Sequence, residues 1–345
     1  MHRHLQLSSP LSTRDGGRPP LGERRPFVFW ATAPGALALL VAYAAVALAL
    51  PGEAPLLRAP GPREIAVAAG TFTMGSEAAE IDHAIALCTH DLGAGPCDDP
   101  RLRRALDAEV GAHEVRLGAF FIDRTEVTVE SYRRCVAAGP CAAPPYADGG
   151  ARFDRPELPV VLVSWADADT YCRFRGARLP TEAEWERVAR GAAPATAGVA
   201  DAGHPSRAGR RFAWGDLWNP RRANHGRLGI DETDAVDGFA ELAPVGSFVS
   251  GRTPEGVDDL SGNVEEWTLD AIDGVESARY PDHGVVDPRG AAQGALRVTR
   301  GGSFASALPW LRTTARMFRA ATTRSPTLGL RCVRPASESV NLRER

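Results

Sequence analysis

Hydrophobic and polar positions divide this chain into stretches of unlike kind. The longest apolar run, Pro26 to Leu50 (PFVFWATAPGALALLVAYAAVALAL), carries no charged residue. A helix needs about 20 apolar residues to cross a bilayer, and a cleaved signal usually has a shorter apolar core of roughly 7–15 residues. Arg14, Arg18, Arg24 and Arg25, against Asp15 and Glu23, precede the run. That excess places residues 1–25 in the cytoplasm and everything after Pro51 outside it. The reading is a single-pass membrane anchor over 26–50, with a cleaved signal or a buried core helix as the alternatives.

Residues 51–63 (PGEAPLLRAPGPR) are rich in Pro and Gly and read as a linker. From Glu64 to Gly75 (EIAVAAGTFTMG) small and β-forming residues alternate, which predicts a strand, a glycine turn and a second strand. Residues 78–112 break the pattern as a partly helical insertion. The chain then predicts a strand to about Ile122 and a helix capped by Thr128. Pro159–Val163 predicts a short buried strand. Ser164 caps a helix that turns Trp165, Ala168 and Cys172 to one face and stops at Gly176. Thr181 and Glu184 form a capping box for a second helix that buries Trp185 and Val188. From Gly191 to Ser261 periodicity fails, and Gly, Pro, Asp, Asn and Trp accumulate. So long an irregular stretch needs something other than a ladder to hold it, and bound cations and packed tryptophans are the candidates.

Length and composition add little beyond an ordinary globular chain: 345 residues, 44% hydrophobic, net charge -3, with no reason to expect nucleic acid as a partner. Lysine is absent, which excludes Schiff-base chemistry and a lysine general base. The six cysteines, an even count in an exported chain, read as disulfides. The expected pairing is Cys88–Cys97, Cys135–Cys141 and Cys172–Cys332. The two local pairs rest on proximity alone, and other connectivities stay open.

Phrases along residues 64–335 resemble, in order and spacing, the formylglycine-generating enzymes (sulfatase-modifying factors). They are GTFTMGS at Gly70–Ser76, IDRTEVT at Ile122–Thr128, PVVLVSWADADTYC at Pro159–Cys172 and RLPTEAEWE at Arg178–Glu186. FAWGD at Phe212–Asp216, GNVEEWTLD at Gly262–Asp270, RGGSF at Arg300–Phe304 and LGLRC at Leu328–Cys332 continue the series. The resemblance implies an α+β fold with little regular secondary structure, related to C-type lectin domains. It implies a bridge between Cys172 and Cys332, which match a pair joined in family members. It also implies two calcium sites. In the first, Asn224 and Asp237 match side-chain ligands, with carbonyls from His225 and Phe239. In the second, Asp259 and Glu266 match side-chain ligands, with carbonyls from Gly262 and Val264. The competing reading takes these acids as solvated loop residues and turn caps.

The family's chemistry resembles a copper-dependent oxidation in which two cysteines bind Cu(I), an ion that prefers soft thiolates. Those positions align with Ser306 and Leu311, neither of which is a thiolate, and no cysteine lies between Cys172 and Cys332. Copper is therefore not expected. Other family members look like iron-dependent oxidoreductases with a histidine cluster. Here His83, His90, His113, His204, His225 and His283 form no recognisable metal spacing. Ser303 reads as a core residue bonded to backbone, since nothing nearby supplies a base. Arg312, Arg316, Arg319 and Arg324 either line a pocket for an anionic or peptide ligand or pair with surface acids. Trp214, Trp218, Trp267 and Trp310 read as core or groove wall. The sequence thus predicts a membrane-anchored, extracytoplasmic, calcium-stabilised module without the copper site. It would hold a peptide, protein or glycan in a groove near Ser303, Trp310, Arg312 and Arg316. The rival is an oxidoreductase with a metal site assembled only by folding.

Overall fold

The computed structural model describes residues 63–98, 100–146, 150, 152–192, 209–227, 235–275, 278 and 284–336. The predicted anchor at 26–50 and the segments around it, 1–25 and 51–62, lie outside the described residues. Among the described residues no helix is long and apolar enough to cross a membrane.

Among the described residues, three small sheets frame the domain. Strands β1 (Glu64–Val67) and β10 (Val333–Pro335) flank β4 (Phe120–Asp123), both antiparallel to it, so the two ends of the domain meet on one strand. Strand β2 (Gly70–Met74) pairs with β3 (His113–Leu117), which takes β6 (Val285–Val286) in parallel on its far side. The strand, glycine turn and strand predicted over 64–75 are present, but they join different sheets. The third sheet runs β8 (Arg316–Ala320), β7 (Leu296–Arg300), β5 (Glu265–Ile272), β9 (Leu328–Gly329), which leaves β8 at an edge.

The insertion, predicted as partly helical, carries three helices among its described residues: α1 (Ala78–Leu92), α2 (Ala94–Cys97) and α3 (Pro100–Asp107). Its own apolar cluster, including Ile81, Cys88, Leu102 and Leu106, packs on Trp310 from the far end of the chain. Helix α4 (Val129–Ala138) starts where Thr128 Oγ1 accepts the Ser131 N–H at 3.1 Å and stops at Gly139, whose φ of 100° a side chain would oppose. Helix α5 (Trp165–Phe174) opens on the predicted Ser164 cap, with Asp167 completing a box. Helix α6 (Glu182–Arg190) opens on the predicted Thr181 and Glu184 box. Pattern reading gave α6 one buried face through Trp185 and Val188. In the fold the whole helix is inside, Glu182, Glu186, Arg187 and Arg190 included.

One predicted strand is corrected. Pro159–Val163 forms only a bridge from Pro159 to Thr128, because Leu162 turns to φ 59° and its N–H donates to the Ser325 carbonyl instead of a ladder. The burial was read correctly, since Val160, Val161 and Val163 are in the core. The described part of 191–261 is irregular as expected, and Phe212 stacks on Trp214 at 5.3 Å with Trp218 against both. All three expected disulfides are formed: Cys88–Cys97, Cys135–Cys141 and Cys172–Cys332.

Candidate functional site

The site is built on the loop after β7. Arg300 is wholly buried, donates to Glu186 and reaches the carbonyls of Thr313, Thr314 and Ala315 at 2.6–3.0 Å. Its planar fork satisfies groups that a single ammonium could not reach together. Gly301 and Gly302 follow at φ 94° and 68°. A Cβ on Gly302 would lie 2.8 Å from the Trp310 carbonyl oxygen, so only glycine lets the two chain segments approach.

The loop then places two hydroxyls together. Ser306 Oγ accepts the Ser303 N–H at 3.0 Å and lies 3.1 Å from Ser303 Oγ, which accepts the Ala305 N–H. This is the backbone role expected for Ser303. A short turn, Leu308–Leu311, brings Trp310 to a groove wall and buries Leu311 completely against Phe212 and Leu308. All six cysteines are bridged, so the positions aligned with the copper ligands and their surroundings offer no thiolate. The residues present do not fit Cu(I).

The groove has a volume of about 750 Å³, and Ser303, Ser306, Trp310 and Arg316 all line it. The insertion lines it as well, through Cys88, Leu92, Leu102 and Arg104. Arg312, predicted to line the groove, does not. It is buried and clamps Glu109, at the end of the insertion, with contacts of 2.7 and 2.9 Å. Arg316 reaches the groove, yet its guanidinium is held by both Glu182 oxygens at 2.6 Å. Arg319 pairs with Glu265 and Arg324 with Asp167, each at 2.6 Å. Behind Arg316, Asp270 accepts the Glu182 N–H at 2.7 Å, and burial followed by the Glu182 charge pushes its carboxyl up to about 7.

The first predicted calcium set is brought together. Asp237 accepts the N–H groups of His225 and Phe239, both at 2.8 Å. Asn224 donates to Glu241 and Asn263, while its buried Oδ1 takes no hydrogen bond. A buried carbonyl oxygen without a donor suits a hard cation. The second set is arranged differently from the prediction. Glu266 gives both oxygens to Arg331 at 2.6 Å and takes the Trp185 N–H as well. Asp259 accepts the Gly246 N–H at 2.6 Å and stands against Glu126, whose buried Oε2 accepts no hydrogen bond. Burial, with the Asp259 charge next in size, raises the Glu126 carboxyl well above its usual range. Glu126 is the acid that sequence reasoning missed. It lies 133 positions before Asp259 in the phrase IDRTEVT, and nothing local marks it as facing that residue. Gly262 and Val264 lie beside it in the core, with Gly262 packed so tightly on Asn224 that a Cβ would meet its carbonyl at 2.1 Å.

An irregular mixed fold around a groove, built from the ordered phrases between Gly70 and Cys332, points to a sulfatase-modifying-factor type of domain. The sequence profile of the sulfatase-modifying factor enzyme 1-like domain matches residues 50–336, and the chain belongs to that family. It is 35% identical over 279 residues to a formylglycine-generating enzyme of Streptomyces coelicolor, covering 67% of this chain and 82% of that one. It is also 35% identical over 198 residues to a mouse protein named inactive C-alpha-formylglycine-generating enzyme 2, covering 56% of this chain and 54% of the relative. Among solved structures, PvdO from Pseudomonas aeruginosa shares the fold with a TM-score of 0.54 at 23% identity, covering 82% of this chain and all of that one.

Proposed function

We propose that this chain is a non-catalytic, calcium-stabilised binding module of the family. Residues 26–50 anchor it in a membrane, and its domain works outside the cytoplasm, holding a peptide, protein or glycan in the groove. The observation that carries the reading is the thiol count. Every cysteine is in a disulfide, Ser306 is hydrogen-bonded to Ser303, and Leu311 is sealed in the core. Similarity to a relative named as inactive supports it. Calcium, where bound, supplies a hard cation that gathers oxygens from irregular chain. Asn224, Asp237 and the carbonyls of His225 and Phe239 would hold one ion. Asp259, Glu126 and the carbonyls of Gly262 and Val264 would hold the other, while Glu266 stays with Arg331.

The test incubates the full-length chain with Cu(I) and a cysteine-containing sulfatase-type peptide, with conversion read by mass spectrometry. A double variant, Ser306→Cys with Leu311→Cys, runs beside it. The expected result is no conversion by the wild type. Conversion by the wild type sinks the proposal.

One relative gives the rival reading an observation of its own: a hercynine oxygenase of Mycolicibacterium thermoresistibile is 32% identical over 253 residues, covering 64% of this chain and 51% of that one. On that reading the chain is a metal-dependent oxidoreductase with a non-standard site. Metal analysis of the purified chain separates the two, since a binding module retains calcium and no redox metal.

A further inference from the structure

The groove has an uneven charge balance and an unusual floor. Among the described residues, Arg104, Arg227, Arg316 and Arg319 line it against a single carboxylate, Glu265. Arg316 and Arg319 are held by Glu182 and Glu265. Arg104, on α3, and Arg227 are exposed at the rim, and Arg227 is steadied there by donating to the Asp91 carbonyl at 3.2 Å. Among the described residues, neither of these two arginines is paired with a carboxylate.

The floor is strand β8. Among the described residues it pairs with β7 on one side only, and Arg316, Met317, Phe318 and Arg319 in succession line the groove. Successive side chains of a strand point to opposite faces. Four neighbours in a row can border one space only where that space runs along the strand's open edge. At about 3.3 Å per residue, the five residues of β8 offer an edge of about 17 Å. An open edge presents unpaired backbone groups and is a template for another strand. Leu92, Leu102 and Phe318 supply apolar surface on either side, which suits aliphatic side chains.

We infer that the groove takes an acidic peptide in extended conformation, added to β8 as a new edge strand, with its carboxylates reaching Arg104 and Arg227. Main-chain pairing supplies affinity in this mode, and side-chain contacts supply selectivity. The inference rests on the groove being a binding site, as proposed above, and adds which ligand it selects.

The test measures fluorescence anisotropy of short labelled peptides with the full-length chain. One peptide alternates Val and Glu, a second alternates Val and Arg, and a third is the acidic peptide N-methylated at alternate backbone positions. The acidic peptide should bind at least about tenfold more tightly than the basic one, and N-methylation should weaken it by about the same factor. Arg104→Glu with Arg227→Glu, two exposed positions, should reverse the preference while leaving the circular dichroism spectrum unchanged. Equal binding of acidic and basic peptides overturns the inference and leaves the binding-module reading intact. Indifference to N-methylation overturns the edge-strand geometry. Binding of a sulfated oligosaccharide in place of every peptide overturns the choice of ligand. No binding of any probe, together with a retained redox metal, overturns both readings.

Discussion

Arg312 and Glu109 stand 203 positions apart and meet as a buried, two-contact ion pair. Sequence reasoning allowed Arg312 a pocket or a surface acid, and folding gave it neither. Truncating one partner leaves a charge buried alone, a loss of about 3–5 kcal/mol, whereas replacing both with apolar residues of similar size is often neutral. Arg312→Met should therefore lower the thermal midpoint strongly, and Arg312→Met with Glu109→Leu should recover much of it. An additive double variant would show that the pair is not coupled. Asp270 allows a second prediction at this scale. Its folded pKa of about 7 lies above the unfolded value, so its contribution is full below the unfolded pKa and is lost as pH rises through about 7. The melting temperature of Asp270→Asn, relative to wild type, should rise between about pH 5 and about pH 8. A constant difference across that range would show that Asp270 keeps an ordinary pKa.

Among the elements, the helix caps were legible because each is written within four residues. Thr128, Ser164 and Thr181 cap helices where the sequence placed them. Burial of all of α6 was not legible, because its charged face is matched by arginines from β7 and β8 that no local pattern connects to it. The insertion is the element whose role changed most. Its helices form one wall of the groove, tied by Cys88–Cys97 across nine positions. In the chain-entropy account, opening so short a loop costs about 2–3 kcal/mol. Cys88→Ser with Cys97→Ser should raise hydrogen exchange across 78–107 and leave α5 and α6 protected. Loss of protection throughout would mean that the insertion is part of the core and not a separable wall.

For the whole molecule, the irregular stretch is the part that a cation would organise. Chelation should lower the thermal midpoint, calcium should restore it, and Glu126→Gln should remove one of the two proposed ions in a calorimetric titration. A midpoint unmoved by chelator would return these acids to the role of turn caps. The sequence by itself determined the family, the helix caps and the absence of a thiolate at the copper positions. These depend on residue identity at short spacing, and no fold can supply a sulfur that the chain lacks. It also named all three disulfides, although proximity alone supported two of them. Only the tertiary structure decided which arginines face the groove. It buried Arg312, set Glu126 against Asp259 and made β8 an open edge beside the insertion. Each of these outcomes depends on contacts between residues tens to hundreds of positions apart, and periodicity along the chain carries no record of them.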